Sequence, residues 1–212
     1  MKHDVFKFVL AVTTVGVLGV ASAAFAASPP GPVLTAPGQN KVLCFDGTTD
    51  GGYNGVCTLK SSGAKGPATL NNIDGDSDPY NNYSGLYTPT SSMYGQLLGD
   101  VTQLSFQYGG DAATAGSPRF SIPVSTDAGT TTDGYLFVSA GYCNDGNGLV
   151  DAINDPTCTI YTNFSSESFD NWADLVATHP DWTVGTDQYV FLVADDPGMW
   201  TINNVKFGKA GK

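Results

Sequence analysis

Short apolar stretches that alternate at every second residue, each closed off by Gly, Asn, Asp or Ser, most limit what this chain can fold into. Leu104, Phe106 and Tyr108 follow that period, as do Phe120, Ile122 and Val124, and again Leu136, Val138 and Ala140. A period of two puts side chains on one face of a strand, so each run reads as a half-buried strand. Similar runs occur at 41 to 46, 55 to 60, 67 to 73, 84 to 88, 157 to 162, 188 to 194 and 199 to 207. So many one-sided strands must hide their apolar faces against one another, and two packed antiparallel sheets are the natural solution. One helix is expected at Asn171 to Thr178. There Trp172, Leu175 and Val176 share a face and Pro180 follows, which suits a short lid over a sheet edge.

The N-terminus has a different character. Lys2 and Lys7 precede an apolar run from Phe8 to Phe25, and the run ends in the small-residue pattern Ala24-Phe25-Ala26. That is the order of a signal peptide cleaved after Ala26. A membrane anchor competes with this reading, since ~20 apolar residues span a bilayer. Gly16, Gly19, Ser22 and the Ala-rich end favour cleavage, and no basic stop-transfer cluster follows. The expected organisation is a signal peptide at 1–26, a Pro/Gly-rich flexible lead-in at 27–40, a β-sandwich domain at 41–208 and a disordered tail at 209–212. The expected location is secreted or extracellular, with no membrane insertion after cleavage.

Cys44, Cys57, Cys143 and Cys158 suit an exported chain with two disulfides. Three pairings are possible. Cys44 with Cys57 and Cys143 with Cys158 is the favoured one, because each pair flanks a short Gly/Asn/Asp loop that a bridge would pin. Zinc is the competing use, but there is no Cys-x-x-Cys pair, and His179 is the sole histidine beyond residue 26.

The formal net charge is -11, and of the twenty acidic residues only Glu167 is Glu. Aspartate favours turns because its short carboxylate bonds to nearby backbone, so the negative charge belongs mainly to loops. Such a surface repels phosphates, which argues against a nucleic acid partner.

Catalysis finds little support in the sequence. Nucleophilic chemistry needs a base within reach of an activated Ser, Cys or Thr. His179 sits in His-Pro-Asp-Trp at the end of the expected helix, where a helix cap or surface histidine explains it. Glycoside hydrolysis needs two carboxyl groups, one of them in an apolar setting. Glu167 lies instead in the polar stretch SSESFD. The expectation is therefore a protein that is not an enzyme, with an Asp-dependent hydrolase as an alternative.

Two loops are candidate calcium sites. In IDGDSDPYNNYSGLY, Asp74, Asp76 and Asp78 alternate around Gly75, so their carboxylates can converge on one cation. In CNDGNGLVDAINDPTC, Asp145, Asn147 and Asp151 loosely echo a calcium loop. A solvated turn and a disulfide-pinned hairpin loop explain the same residues without metal. Tyr80, Asn82, Tyr83 and Tyr87 are candidate ligand-binding residues, since tyrosine rings beside polar loops suit the C–H face and hydroxyl edge of a sugar. The alternative makes some of these tyrosines alternating core positions. Trp172, Trp182 and Trp200 read as core anchors.

The segment DDPGMWTINNVKFG, residues 195 to 208, resembles the closing strand of jelly-roll carbohydrate-binding modules through Trp200, Ile202, Asn204 and Val205. The chain is also similar to small exported bacterial β-proteins. The resemblance implies an all-β, jelly-roll-like two-sheet antiparallel sandwich, stabilised by calcium, that binds a carbohydrate or cell-surface glycan by a sheet face or loop end. A structural or adhesive surface protein is the expected alternative from a different class.

Overall fold

Thirteen strands and one α-helix form among the residues that the computed structural model describes, which are 42–46, 55–60, 67–73, 82–89, 91–143 and 148–208. The expected signal peptide, lead-in and tail lie outside these residues. In chain order the strands are β1 (Leu43–Asp46), β2 (Val56–Leu59), β3 (Ala68–Asn71), β4 (Ser84–Thr88), β5 (Gln103–Gly110), β6 (Arg119–Ser125) and β7 (Gly134–Ser139). They continue with β8 (Leu149–Asp151), β9 (Ile160–Thr162), β10 (Ser168–Phe169), β11 (Thr183–Val184), β12 (Val190–Ala194) and β13 (Met199–Gly208). The helix α1 (Trp172–Thr178) falls between β10 and β11.

Two antiparallel sheets result. The larger runs β1-β4-β12-β6-β7-β9-β10, with β11 paired to one end of β6, and the smaller runs β2-β3-β13-β5-β8. The last two strands therefore sit inside the sheets: β12 separates β4 from β6, and β13 separates β3 from β5. Inner-facing residues of both sheets share one core that includes Leu70, Phe106, Phe120, Ile122, Leu192 and Trp200. Phe120 of the larger sheet meets Phe106 and Phe207 of the smaller one edge-on, with ring centroids 5.0 and 5.4 Å apart. Fully burying a side chain of this size contributes ~1.5 to 3 kcal/mol, so this three-ring contact is a principal tie between the layers. The protein is an all-β sandwich, as the period of its apolar residues implies.

The long strand β13 needs an irregularity to serve this core. Trp200 and Ile202 face inward, and unbroken alternation would then turn Lys206 inward and Phe207 out. A bulge between Asn203 and Lys206 inserts one extra residue against β5. It reverses the parity, leaving Lys206 exposed while Val205 and Phe207 pack against the core. Asn204 carries the bulge at φ 50°, a left-handed backbone that asparagine tolerates better than most residues. Its side chain donates to Gln107 Oε1 at 2.6 Å.

Cys44 pairs with Cys57 and Cys143 with Cys158. The first bridge joins β1 of the larger sheet to β2 of the smaller, a tie between layers. The second spans a loop that is more than the hairpin expected of it. Its middle forms β8, which leaves the larger sheet to pair with β5 of the smaller one.

The helix matches its expected span, and Asn171 caps it by accepting a hydrogen bond from the Asp174 N–H at 3.0 Å. Trp172 and Leu175 are buried, and the Trp172 indole N–H donates to the Leu98 carbonyl at 3.3 Å. Beside β10, the final strand of the larger sheet, α1 acts as the lid that its apolar face suggests. Trp182 and Trp200 are buried as well. Among the described residues, no helix is long and apolar enough to cross a membrane.

Candidate functional site

The strands of the larger sheet are apolar at both parities. In β7, Leu136 and Val138 fill the core while Tyr135 and Phe137 face the other way. In β12, Leu192 faces in and Phe191 out. Strand register turns these outward residues into a row. Leu43 lies opposite Tyr87, Tyr87 opposite Phe191, Phe191 opposite Ser121, Ser121 opposite Phe137, and Phe137 opposite Tyr161. Six neighbouring strands thus each contribute one side chain to a line perpendicular to the strand direction.

Further rings widen the line. Phe45 lies over Gly85, where a side chain would collide with it. Its ring stands edge-on to Phe191 at 5.7 Å. Tyr135 also meets Phe191 edge-on, at 5.5 Å, and stacks beside Phe137 at 6.5 Å. Tyr87 contacts Tyr189 at 5.2 Å, and Tyr161 contacts Tyr142 at 5.0 Å. Phe45, Tyr135, Phe137 and Phe191 are half-buried, and Tyr161 is 36% exposed. These contacts hold each ring by its neighbours, and all of these rings except the buried Tyr87 keep part of their surface accessible.

Polar groups flank the rings on two sides. At one end of the strands Arg119, the sole arginine of the chain, places its guanidinium 5.0 Å from the Phe137 ring centroid and pairs with Asp195. It also donates to the Gly116 carbonyl at 2.8 Å. Ser117 fixes the partner, because its hydroxyl accepts the Asp195 and Asp196 N–H groups at 2.8 and 2.9 Å. At the opposite end the Tyr135 hydroxyl donates to Gln188 Oε1 at 3.3 Å. Burial, with a smaller push from Asp187, raises the Tyr135 phenol to about 12. Burial likewise raises Tyr94, whose hydroxyl donates to the Thr88 carbonyl and accepts the Val190 N–H. Both phenols are therefore neutral donors at ordinary pH.

Of the expected ligand-binding tyrosines, Tyr87 stands in the row at 9% exposure. Tyr83 is 7% and Asn82 1% exposed, so both are largely enclosed, with the Tyr83 ring 6.1 Å from Phe45. Tyr80 lies outside the described residues. Phe45, Tyr135, Phe137, Tyr161 and Phe191 escaped local reading, although apolar residues at both parities of β7 and β12 signal a second covered face.

The first calcium candidate, Asp74, Asp76 and Asp78, lies outside the described residues, as do Asp145 and Asn147 of the second. Asp151 is described, and its carboxylate is turned to its own loop, with both oxygens accepting from the Asn154 side-chain amide at 3.0 Å. Among the described residues no group of three or more His, Cys, Asp or Glu side chains gathers around a point.

His179 terminates α1, its N–H donating to the Leu175 carbonyl at 2.9 Å. Its ring stacks on Trp182 at 3.7 Å, and Nε2 lies 3.3 Å from Glu167 Oε2. Ser165 donates to that same carboxylate oxygen at 3.0 Å. The carboxylate stands between hydroxyl and imidazole, whereas proton abstraction from a serine requires the imidazole in the middle.

No protein-family model matches this chain, and neither the curated proteins nor the solved structures include a significant match to it.

Proposed function

We propose that the protein is a non-catalytic, extracellular carbohydrate-binding module that holds its ligand on the outer face of the larger sheet. The observation that carries this reading is the in-register row of half-buried rings between two polar margins. A pyranose has an apolar C–H face and a rim of hydroxyls, and the sheet offers the complement: rings in the middle, Arg119, Asp195, Gln188 and the Tyr135 hydroxyl at the sides. The two disulfides suit an oxidising location outside the cytoplasm. Calcium stabilisation belongs to the same proposal through the Asp74–Asp78 loop.

A glycan array probed with the labelled protein, with and without calcium, tests the reading. The expected result is a set of hits that the double variant F137A/F191A loses while its disulfides and far-UV spectrum are retained. An array without hits above background in either condition overturns it. Concentration-dependent assembly in light scattering, abolished by the same double variant, would assign the rings to self-association and favour a structural surface protein instead.

A further inference from the structure

If the ring-lined face holds carbohydrate, its register and charge also specify what kind. The row from Leu43 to Tyr161 crosses six strands. Adjacent strands lie ~4.8 Å apart, so five steps extend the row to roughly 24 Å. That is much longer than one sugar ring and has no end wall among the residues that form it. The charged groups and the Tyr135 phenol lie along the two margins, while at the Tyr161 end the register continues only to the small exposed Ser168 of β10. Arg119 and Asp195 occupy one strand-end side, and Tyr135 and Gln188 the other. A ligand meeting both margins at once therefore runs across the strands with hydroxyls projecting from its two edges.

The charge of this face narrows the choice further. Its one guanidinium is already bound to the Asp195 carboxylate, and Ser117 and the Gly116 carbonyl complete that arrangement. The described lysines belong to the smaller sheet: Lys60 follows β2 and Lys206 sits on β13. Asp187 lies near the second margin, where its charge acts on the Tyr135 phenol. Over the whole chain the formal charge is -11. Among the described residues, a polyanion entering this face would meet the Asp187 carboxylate and no cation free of a carboxylate partner.

We infer that the ligand is a neutral, unbranched hexopyranose polymer with equatorial hydroxyls, lying across the strands along the Tyr87–Phe191–Phe137–Tyr161 row. This rests on the carbohydrate reading above and goes beyond it in length, direction and charge. Ser121 marks a gap in the row: its hydroxyl is fully buried on the floor between Phe191 and Phe137 and has no hydrogen-bond partner among the described residues. A small side chain there keeps the middle of the line level instead of raising a third bulky group.

Affinity electrophoresis and titration calorimetry on the intact protein test the inference with defined probes. Neutral hydroxyethylcellulose and unbranched mixed-linkage β-glucan are compared with anionic carboxymethylcellulose and polygalacturonate, and a cello-oligosaccharide hexamer with its dimer. The expected results are retardation by at least one neutral polymer and by neither anionic one, and at least tenfold tighter binding of the hexamer than of the dimer. Y161A, toward one end of the row, should weaken hexamer binding about fivefold, whereas T69A on the outer face of the smaller sheet should leave it unchanged. Equal affinity for dimer and hexamer, or preference for a polyanion, overturns this inference while leaving carbohydrate binding intact. Failure of every polymer and oligosaccharide, together with an empty glycan array, removes both.

Discussion

The outward faces of the two sheets carry opposite chemistries on the same backbone architecture. On the smaller sheet Thr58, Thr69 and Thr201 lie in register on β2, β3 and β13, near Asn71, Asn203 and Gln107. The ATLN of β3 and QLSFQY of β5 alternate between core and water, and the exposed Val56 and Met199, both opposite Asn71, are the apolar exceptions on this face. On the larger sheet the corresponding line is Tyr87, Phe191, Phe137 and Tyr161, and the VFLVA of β12 has no polar side chain. An antiparallel sheet needs only one apolar face to make a sandwich. The Thr/Asn/Gln surface shows what structure alone requires, and the excess of rings on the other surface is the part that packing between the layers leaves unexplained.

That contrast has energetic consequences. Phe191 touches Phe45 and Tyr135, so F191A should lower stability by ~2 to 3 kcal/mol, below the ~3 to 5 kcal/mol of a fully buried ring. T69A on the opposite surface should stay within ~0.5 kcal/mol. Urea unfolding of the two variants checks the pair, and equal losses would show that the two faces do not differ as described. Next in size is the bulge that lets the smaller sheet keep its alternation. A β-branched residue resists the backbone that Asn204 adopts, so N204V should cost ~1 to 2 kcal/mol whereas N204G should be close to neutral. A null effect of N204V in thermal unfolding would mean that the strand keeps its register without the left-handed residue.

The rings also make the larger sheet sensitive to alkali. Tyr135 holds its proton to about 12 when folded, against 10.0 for an exposed phenol, and Tyr94 is raised as well. Between those values the unfolded chain loses protons that the folded chain keeps, so the stabilisation is complete below pH 10 and disappears as pH rises through the folded value. Urea midpoints measured from pH 9 to 12 should fall, and Y135F should make that fall shallower. A parallel decline in Y135F would acquit this phenol. The smallest effect is expected at Ser121. Removing a buried hydroxyl that lacks a partner forfeits no hydrogen bond, so S121A should be neutral or up to ~1 kcal/mol more stable. A loss of 1 kcal/mol or more in the same unfolding assay would reveal a bond to this hydroxyl.

Much of the architecture was legible because period-two patterning is local. Leu104 to Tyr108, Phe120 to Val124 and Leu136 to Val138 announce their strands within a few residues, and Asn171 announces the start of its helix. Ala140 falls just past its strand, in a short 3-10 turn that follows Ser139. Three strands gave no such signal: β8, β10 and β11 have three, two and two residues, too few for alternation to register. Both disulfides followed from loops short enough to be pinned. The ring-lined face was less accessible, because Tyr87, Phe137, Tyr161 and Phe191 become neighbours only when strand order and register are known. The local density of tyrosine from Tyr80 to Tyr87 drew attention to one member of that row and to Asn82 and Tyr83, which the fold largely encloses.

The placement of β12 and β13 at the interior of their sheets sets the timetable of assembly. While a ribosome is still making the chain, β4 and β6 have no neighbour to join them, and Ser84 waits about a hundred residues for Ala194. Until then both half-sheets present rows of unpaired backbone donors and acceptors, the surfaces on which chains stick to one another. Closure of both sheets therefore waits on the last two strands, and any factor that escorts the chain before that moment has to cover open strand edges.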